Sequence, residues 1–130
     1  MNKRETSDFL EDLKDYLYEN PSTSREISER FGIRDVWRVL YYNRGSGIKS
    51  VNIKILSPYF FKGPKHSCKI YYVAGTESKV GKRIARWFPP METLNVRQKA
   101  AFSRYVNALP KKISRKVYNT VGYHPPSQEA

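Results

Sequence analysis

Arg34 and Arg38 lie one helical turn apart, and Tyr41, Tyr42 and Arg44 follow them closely. Side chains of these types at this spacing suit recognition rather than reaction. A guanidinium carries a planar fork of donors that matches O6 and N7 of guanine through two parallel hydrogen bonds. A second basic group, Lys62, Lys65 and His66, falls in a stretch rich in proline and glycine, and a third consists of Lys79, Lys82, Arg83 and Arg86. These cations suit phosphate oxygens, contacts that set register without reading a base. Ser24, near the start of a predicted helix, adds a hydroxyl to the phosphate-contacting set. Arg34 and Arg38 would also serve as a solvated helix face paired with Glu26, Glu29 or Asp35. A capped helix and a glycine turn before them, and a basic loop after them, favour contact with a polyanion.

Reaction chemistry finds less support. His66, Cys68 and His124 are the only soft metal ligands, whereas structural zinc needs four, usually in closely spaced pairs. No metal site and no cofactor are expected. No Ser/His/Asp, Cys/His or glycine-rich phosphate-binding pattern has supporting context. The 10 tyrosines raise the option of a DNA-nicking enzyme that attacks phosphate through a phenol. The companions such enzymes need, a paired-histidine metal motif or an Arg and His cluster, are not visible. The tyrosines are therefore expected to be core or interface aromatics, and the chain is not expected to be an enzyme.

Charge narrows the partner. The chain has 130 residues, about one domain, and a net charge of +12. Residues 1–31 hold five Lys/Arg and eight Asp/Glu, a net −3; residues 32–130 hold nineteen and four, a net +15. A basic excess that begins beside Arg34 points to a polyanion. An anionic membrane fits least, since no strongly apolar amphipathic helix accompanies the charge. With 39% hydrophobic residues the chain can build a core. A single cysteine excludes an internal disulfide, and a charged N-terminus is unlike a signal peptide, so a cytoplasmic location is expected, nucleoid-associated in a prokaryote or virus.

The elements that must position these residues follow from periodicity. Residues 1–6 read as a frayed start. Phe9, Leu10, Leu13, Tyr16 and Leu17 recur at helical steps, predicting a helix from Ser7 to Asn20 whose acidic residues form a solvated face. Thr23 and Glu26 have capping-box spacing and open a second helix with Ile27 and Phe31 on its stripe. Gly32 ends that helix and Asp35 is expected to cap a third, with Ile33, Val36, Trp37 and Leu40 inward and Arg34, Arg38, Tyr41 and Tyr42 outward. Period-two alternation predicts strands over 48–56 and 69–74, with residues 57–67 as the loop between them. Further helices are expected over 78–88, 95–109 and 111–121, then a loose tail from about residue 122.

Helix, helix, helix, strand, loop, strand resembles the winged helix-turn-helix family over residues 7–75, and the segment Ser24-Arg-Glu-Ile-Ser-Glu-Arg-Phe-Gly-Ile33 looks like its second helix and turn. The resemblance implies an α+β fold of three helices and a β-hairpin wing, here with a basic helical extension over 76–130. It places a recognition helix on residues 34–44 and a wing on residues 57–67. One departure stands out: six and nine residues after Gly32 the family has core positions, yet here Arg38 and Tyr41 occupy them. The extension's stripe of Phe102, Tyr105, Val106 and Leu109 suits either a core or a dimer interface; family members often dimerise through helices outside the motif, which favours a homodimer. The implied function is sequence-directed binding of double-stranded DNA, as in a small transcriptional regulator. An RNA-binding or nucleoprotein-coating role is the main alternative, and tyrosine-dependent DNA nicking a weaker one.

Overall fold

The first helix, α1 (Lys3–Glu19), begins four residues earlier than its apolar periodicity predicts. Asn2 caps it, accepting from the backbone N–H of Glu5 at 2.8 Å while its side-chain amide donates to the Glu5 carboxylate at 2.7 Å. That pair satisfies a donor at a helix end, so residues 3–6 are helical rather than frayed. The computed structural model describes residues 1–53, 57–64 and 68–124.

A short strand, β1 (Ser22–Thr23), leads into α2 (Ser24–Phe31). Thr23 and Glu26 form the expected capping box: the Glu26 N–H donates to Thr23 Oγ1 at 3.2 Å and the Thr23 N–H to Glu26 Oε1 at 2.9 Å. Gly32 ends α2 at φ 66°, a conformation that costs glycine little. The Ser28 hydroxyl donates to the Ile33 carbonyl at 2.6 Å and holds the turn closed. Helix α3 (Val36–Tyr41) follows, then β2 (Ile48–Asn52), β3 (Lys69–Val73), α4 (Glu77–Ala85), α5 (Val96–Asn107) and α6 (Lys111–Val121). Asn95 and Gln98 form a second capping box at the start of α5.

The chain is α+β, with six helices and one three-stranded antiparallel sheet of order β1-β3-β2 among the described residues. Strand β1 was not expected. Two residues carry no periodic signal, and they are extended because they pair with β3 (Ser22 opposite Tyr71, Thr23 opposite Ile70). The first expected strand ends at Asn52, and residues 54–56 lie outside the described residues.

The pleat of the sheet divides the core into two layers. Tyr71 and Val73 face a cluster built from Phe9, Leu13, Leu17, Ile27, Val36 and Leu40. Ile70 and Tyr72, one residue out of phase, face a larger cluster with Val51 and Ile53, into which α4, α5 and α6 pack. Alternate side chains of a strand point to opposite faces, so β3 reads as a near-continuous apolar run because both its faces are covered. Helices α4 and α6 cross closely. A Cβ on the buried Gly81 would lie 2.6 Å from Lys116 Cβ and 2.8 Å from the Ile113 carbonyl oxygen, an approach that only glycine permits.

The apolar stripe of α5, the loop after β2 and the segment after α6 take the following places in the structure. Phe102, Tyr105, Val106 and Leu109 are buried in the chain's own core and offer no face to a second copy. The packing crosses Gly75, where the expected DNA-binding unit and its extension meet. The loop after β2 does not project as a wing over its described part: Phe61 is buried against Trp87, Phe88 and Tyr105, and the Lys62 N–H donates to the Trp87 carbonyl at 2.7 Å. Nor is the chain loose directly after α6, since Tyr123 packs on Phe102 and Tyr118. Residues 125–130 lie outside the described set. Among the described residues no helix is long and apolar enough to cross a membrane.

Candidate nucleic-acid interface

Helix α3 is six residues long, and its rotation about its own axis decides what the site contains. Asp35 does not cap it as expected. It adopts φ 53° and ψ 47°, a left-handed conformation that aspartate tolerates better than most residues, and its side chain makes no capping hydrogen bond. Its carbonyl instead accepts from the Arg38 and Val39 N–H groups at 2.9 and 3.3 Å, which starts the helix at Val36. Val36 and Leu40 are buried, and Ile33 and Val39 pack at the edge of the same cluster. Trp37, expected inward, is 60% exposed. The buried stripe is Val36 and Leu40, with Ile33 and Val39 at its edge, and it leaves out the tryptophan.

The outer face of α3 therefore carries more than its arginines. Arg34 and Arg38 are exposed, as expected. Tyr41 and Tyr42 are 52% and 72% exposed, with their rings edge to face at 5.4 Å. The Arg44 guanidinium lies 4.5 Å from the centroid of the Tyr41 ring, in cation–π contact. Trp37 and Tyr41, four residues apart, form a ridge with a hollow on each side. One hollow, of about 250 Å³, lies between this ridge and the sheet, where Arg44, Lys49, Ser50 and Lys69 line it. The other, of about 350 Å³, is lined by Asp35, Arg38 and Tyr42 as well. Sequence reasoning missed Trp37, Lys49 and Lys69 as site residues. Neither lysine carries a local signal, because both join the site only through the antiparallel pairing of β2 with β3.

The remaining candidates divide. Lys79 and Arg83 were expected to contact phosphate, but both are bound within the chain. Lys79 Nζ donates to the Tyr18 carbonyl at 2.7 Å and pairs with Glu19 at 3.1 Å. Arg83 donates to the Pro21 carbonyl at 2.6 Å and pairs with Glu26 at 2.7 Å. Lys82 and Arg86 are exposed beside them, in a hollow whose lining includes Lys79, Arg83 and Glu19. Ser24 is half-buried in the first turn of α2 and Lys62 is exposed on the loop after β2. Lys65 and His66 lie outside the described residues.

Burial acts on the phenols of the core. Burial pushes the Tyr71 phenol up, with the Cys68 thiol beside it adding to the effect. Burial likewise raises Tyr72, Tyr105 and Tyr118. The Cys68 thiol, half-buried at the start of β3, is pushed up by burial and by the Glu26 carboxylate. Among the described residues no three His, Cys, Asp or Glu side chains gather in a metal-binding group.

Comparison with protein-family models, with curated proteins and with solved structures finds no significant match to this chain.

Proposed function

We propose that this protein binds double-stranded DNA through the outer face of α3, in a winged helix-turn-helix arrangement, and acts in a sequence-directed task such as transcriptional regulation. The observation that carries the reading is the composition of that face. Arg34, Arg38 and Arg44 stand exposed beside Trp37, Tyr41 and Tyr42 on a short helix that follows a capped helix and a left-handed glycine turn. Arginines placed there would reach guanine edges in a major groove, and the tyrosine hydroxyls would reach phosphates. The sheet order β1-β3-β2 and the element order from α1 to β3 support the same arrangement. The net +15 of residues 32–130 supplies the long-range attraction.

The loop after β2 has a smaller part in this reading than in the general family pattern. Its Phe61 anchors it to the C-terminal helices, so phosphate contact falls to Lys62 on its surface and to Lys49 and Lys69 on the neighbouring strands.

Selection from a pool of random duplexes, followed by affinity measurement across a salt series, tests the proposal. An enriched sequence is expected. If about five phosphates are neutralised, log K should fall with log salt at a slope of about −4 to −5. A slope near zero, or a pool with no enrichment, would overturn it.

A further inference from the structure

We infer that the hollow between α3 and the sheet takes an unpaired nucleobase of a DNA strand, stacked on Trp37 and Tyr41; this rests on the DNA-binding reading above. The first observation is the cost of the ridge as it stands. Trp37 is 60% exposed on a helix that buries Val36 and Leu40 on its other side, and Tyr41 and Tyr42 are exposed with it. Two large rings on a six-residue helix and a third just past its end, all left in water, form an apolar surface that a polar or charged partner alone would not cover.

The second observation is what surrounds the rings. Arg44, Lys49 and Lys69 line the hollow, Ser50 adds a hydroxyl, and among the described residues no carboxylate lines it. An apolar floor with a cationic rim matches a nucleotide, whose base is flat and apolar on its faces and whose phosphate is anionic. An acidic peptide meets the cations but stacks only where it carries an aromatic side chain, and a neutral apolar segment gains nothing from the cations. Arg44 already lies over Tyr41 at 4.5 Å, and a base entering the hollow would extend that stack.

Base pairing then decides which nucleotide fits. A paired base shows a protein its edge, and its faces are covered by its neighbours in the stack. Trp37 and Tyr41 offer faces and ring edges, so they gain most from a base whose own face is free, at a bulge, a melted step or a strand end. Arg38, on the other side of the ridge, remains available for the flanking duplex. The structure thus combines groove contact on one side of α3 with stacking on the other.

The test compares a fully paired duplex with the same duplex carrying one unpaired thymidine, and follows tryptophan fluorescence during titration with short thymidine oligomers. The bulged duplex is expected to bind about tenfold more tightly, consistent with one stacked base. The oligomers should quench fluorescence in the full chain and lose most of that quenching in Trp37→Phe. Tyr41→Ala should abolish the preference for the bulge, lowering affinity for the bulged duplex about tenfold more than for the paired one. Both positions are exposed, and an unchanged melting temperature would confirm that these variants fold. Equal affinity for both duplexes with no Trp37-dependent quenching would overturn the stacking site and leave the duplex reading standing. Loss of binding to every DNA would overturn both. In a parallel titration with uridine oligomers of the same length, tighter binding than to the thymidine oligomers would overturn the assignment to DNA.

Discussion

The Arg83 guanidinium lies 2.7 Å from the Glu26 carboxylate, joining α4 to α2 across 57 residues of sequence. The same carboxylate accepts from the Thr23 N–H, so one side chain both caps α2 and holds the C-terminal layer against it. Arg83 also donates to the Pro21 carbonyl at 2.6 Å. The pair is partly exposed, which limits its Coulomb contribution. A double-mutant cycle with Glu26→Gln and Arg83→Met is expected to give a coupling of about 1 kcal/mol by thermal or denaturant unfolding. Each single variant should cost more than that, because it leaves a half-buried partner unmatched. A coupling indistinguishable from zero would show that the contact is incidental.

Stability should fall in acid, and Glu26 contributes to the fall. Burial alone would raise its carboxyl, but the Thr23 N–H and the Arg83 guanidinium outweigh burial and hold it below the ordinary value of 4.5. A carboxyl lowered by folding contributes stability that is fully present above its unfolded value. That stability is lost as pH falls through the lower, folded one. Unfolding free energy measured from pH 6 downward should therefore decline below about pH 4.5, and Glu26→Gln should flatten the decline. An unchanged pH profile in the variant would remove Glu26 from the account.

Gly81→Ala should destabilise the fold. Alanine is the better helix former by about 1 kcal/mol, yet its Cβ would lie 2.6 Å from Lys116 Cβ and 2.8 Å from the Ile113 carbonyl oxygen. Overpacking of this kind costs about 1–3 kcal/mol, and backbone on one side of the clash leaves little room to yield. A lowered melting temperature is expected, and a raised one would mean that α4 and α6 separate easily.

Trp37→Ala and Phe102→Ala should behave oppositely. Phe102 is fully buried, and its truncation should cost about 3–5 kcal/mol of stability. Trp37 is exposed, and its truncation should leave the melting temperature nearly unchanged while weakening nucleic-acid binding. In the same binding assays Arg38→Ala should cost about 1–3 kcal/mol at a preferred site and little on random duplex. Lys62→Ala should weaken all sequences alike and flatten the salt slope. Melting curves and paired affinities check all four; a Trp37→Ala protein that unfolds would require α3 to be rotated.

A chain shortened to end at Gly75 should fail to fold. It would leave Val51, Ile53, Ile70 and Tyr72 facing water on one side of the sheet, where α4, α5 and α6 now cover them. Loss of a cooperative melting transition is the expected result. A folded, monomeric fragment would show that the cluster around α1–α3 is sufficient alone.

Much of the local structure follows from neighbouring residues. Thr23 and Glu26 determine the start of α2, and Gly32 determines its end. The stripe of Phe102, Tyr105, Val106 and Leu109 marks the buried side of α5, although what it packs against is invisible along the chain. The charge asymmetry, and the exposure of Arg34, Arg38, Tyr41 and Tyr42, are likewise written in composition and spacing. Tertiary structure decided what depends on distant partners. Ser22 and Thr23 are a strand only because β3 lies beside them. Lys79 and Arg83 look like free cations until α1 and α2 bring Glu19 and Glu26 to them. Trp37 lies outward because α3 turns Val36 and Leu40 into the cluster that holds Leu13, Leu17 and Ile27. Spacing along a six-residue helix specifies which side chains share a face. Only packing against the rest of the molecule specifies which face is turned to water.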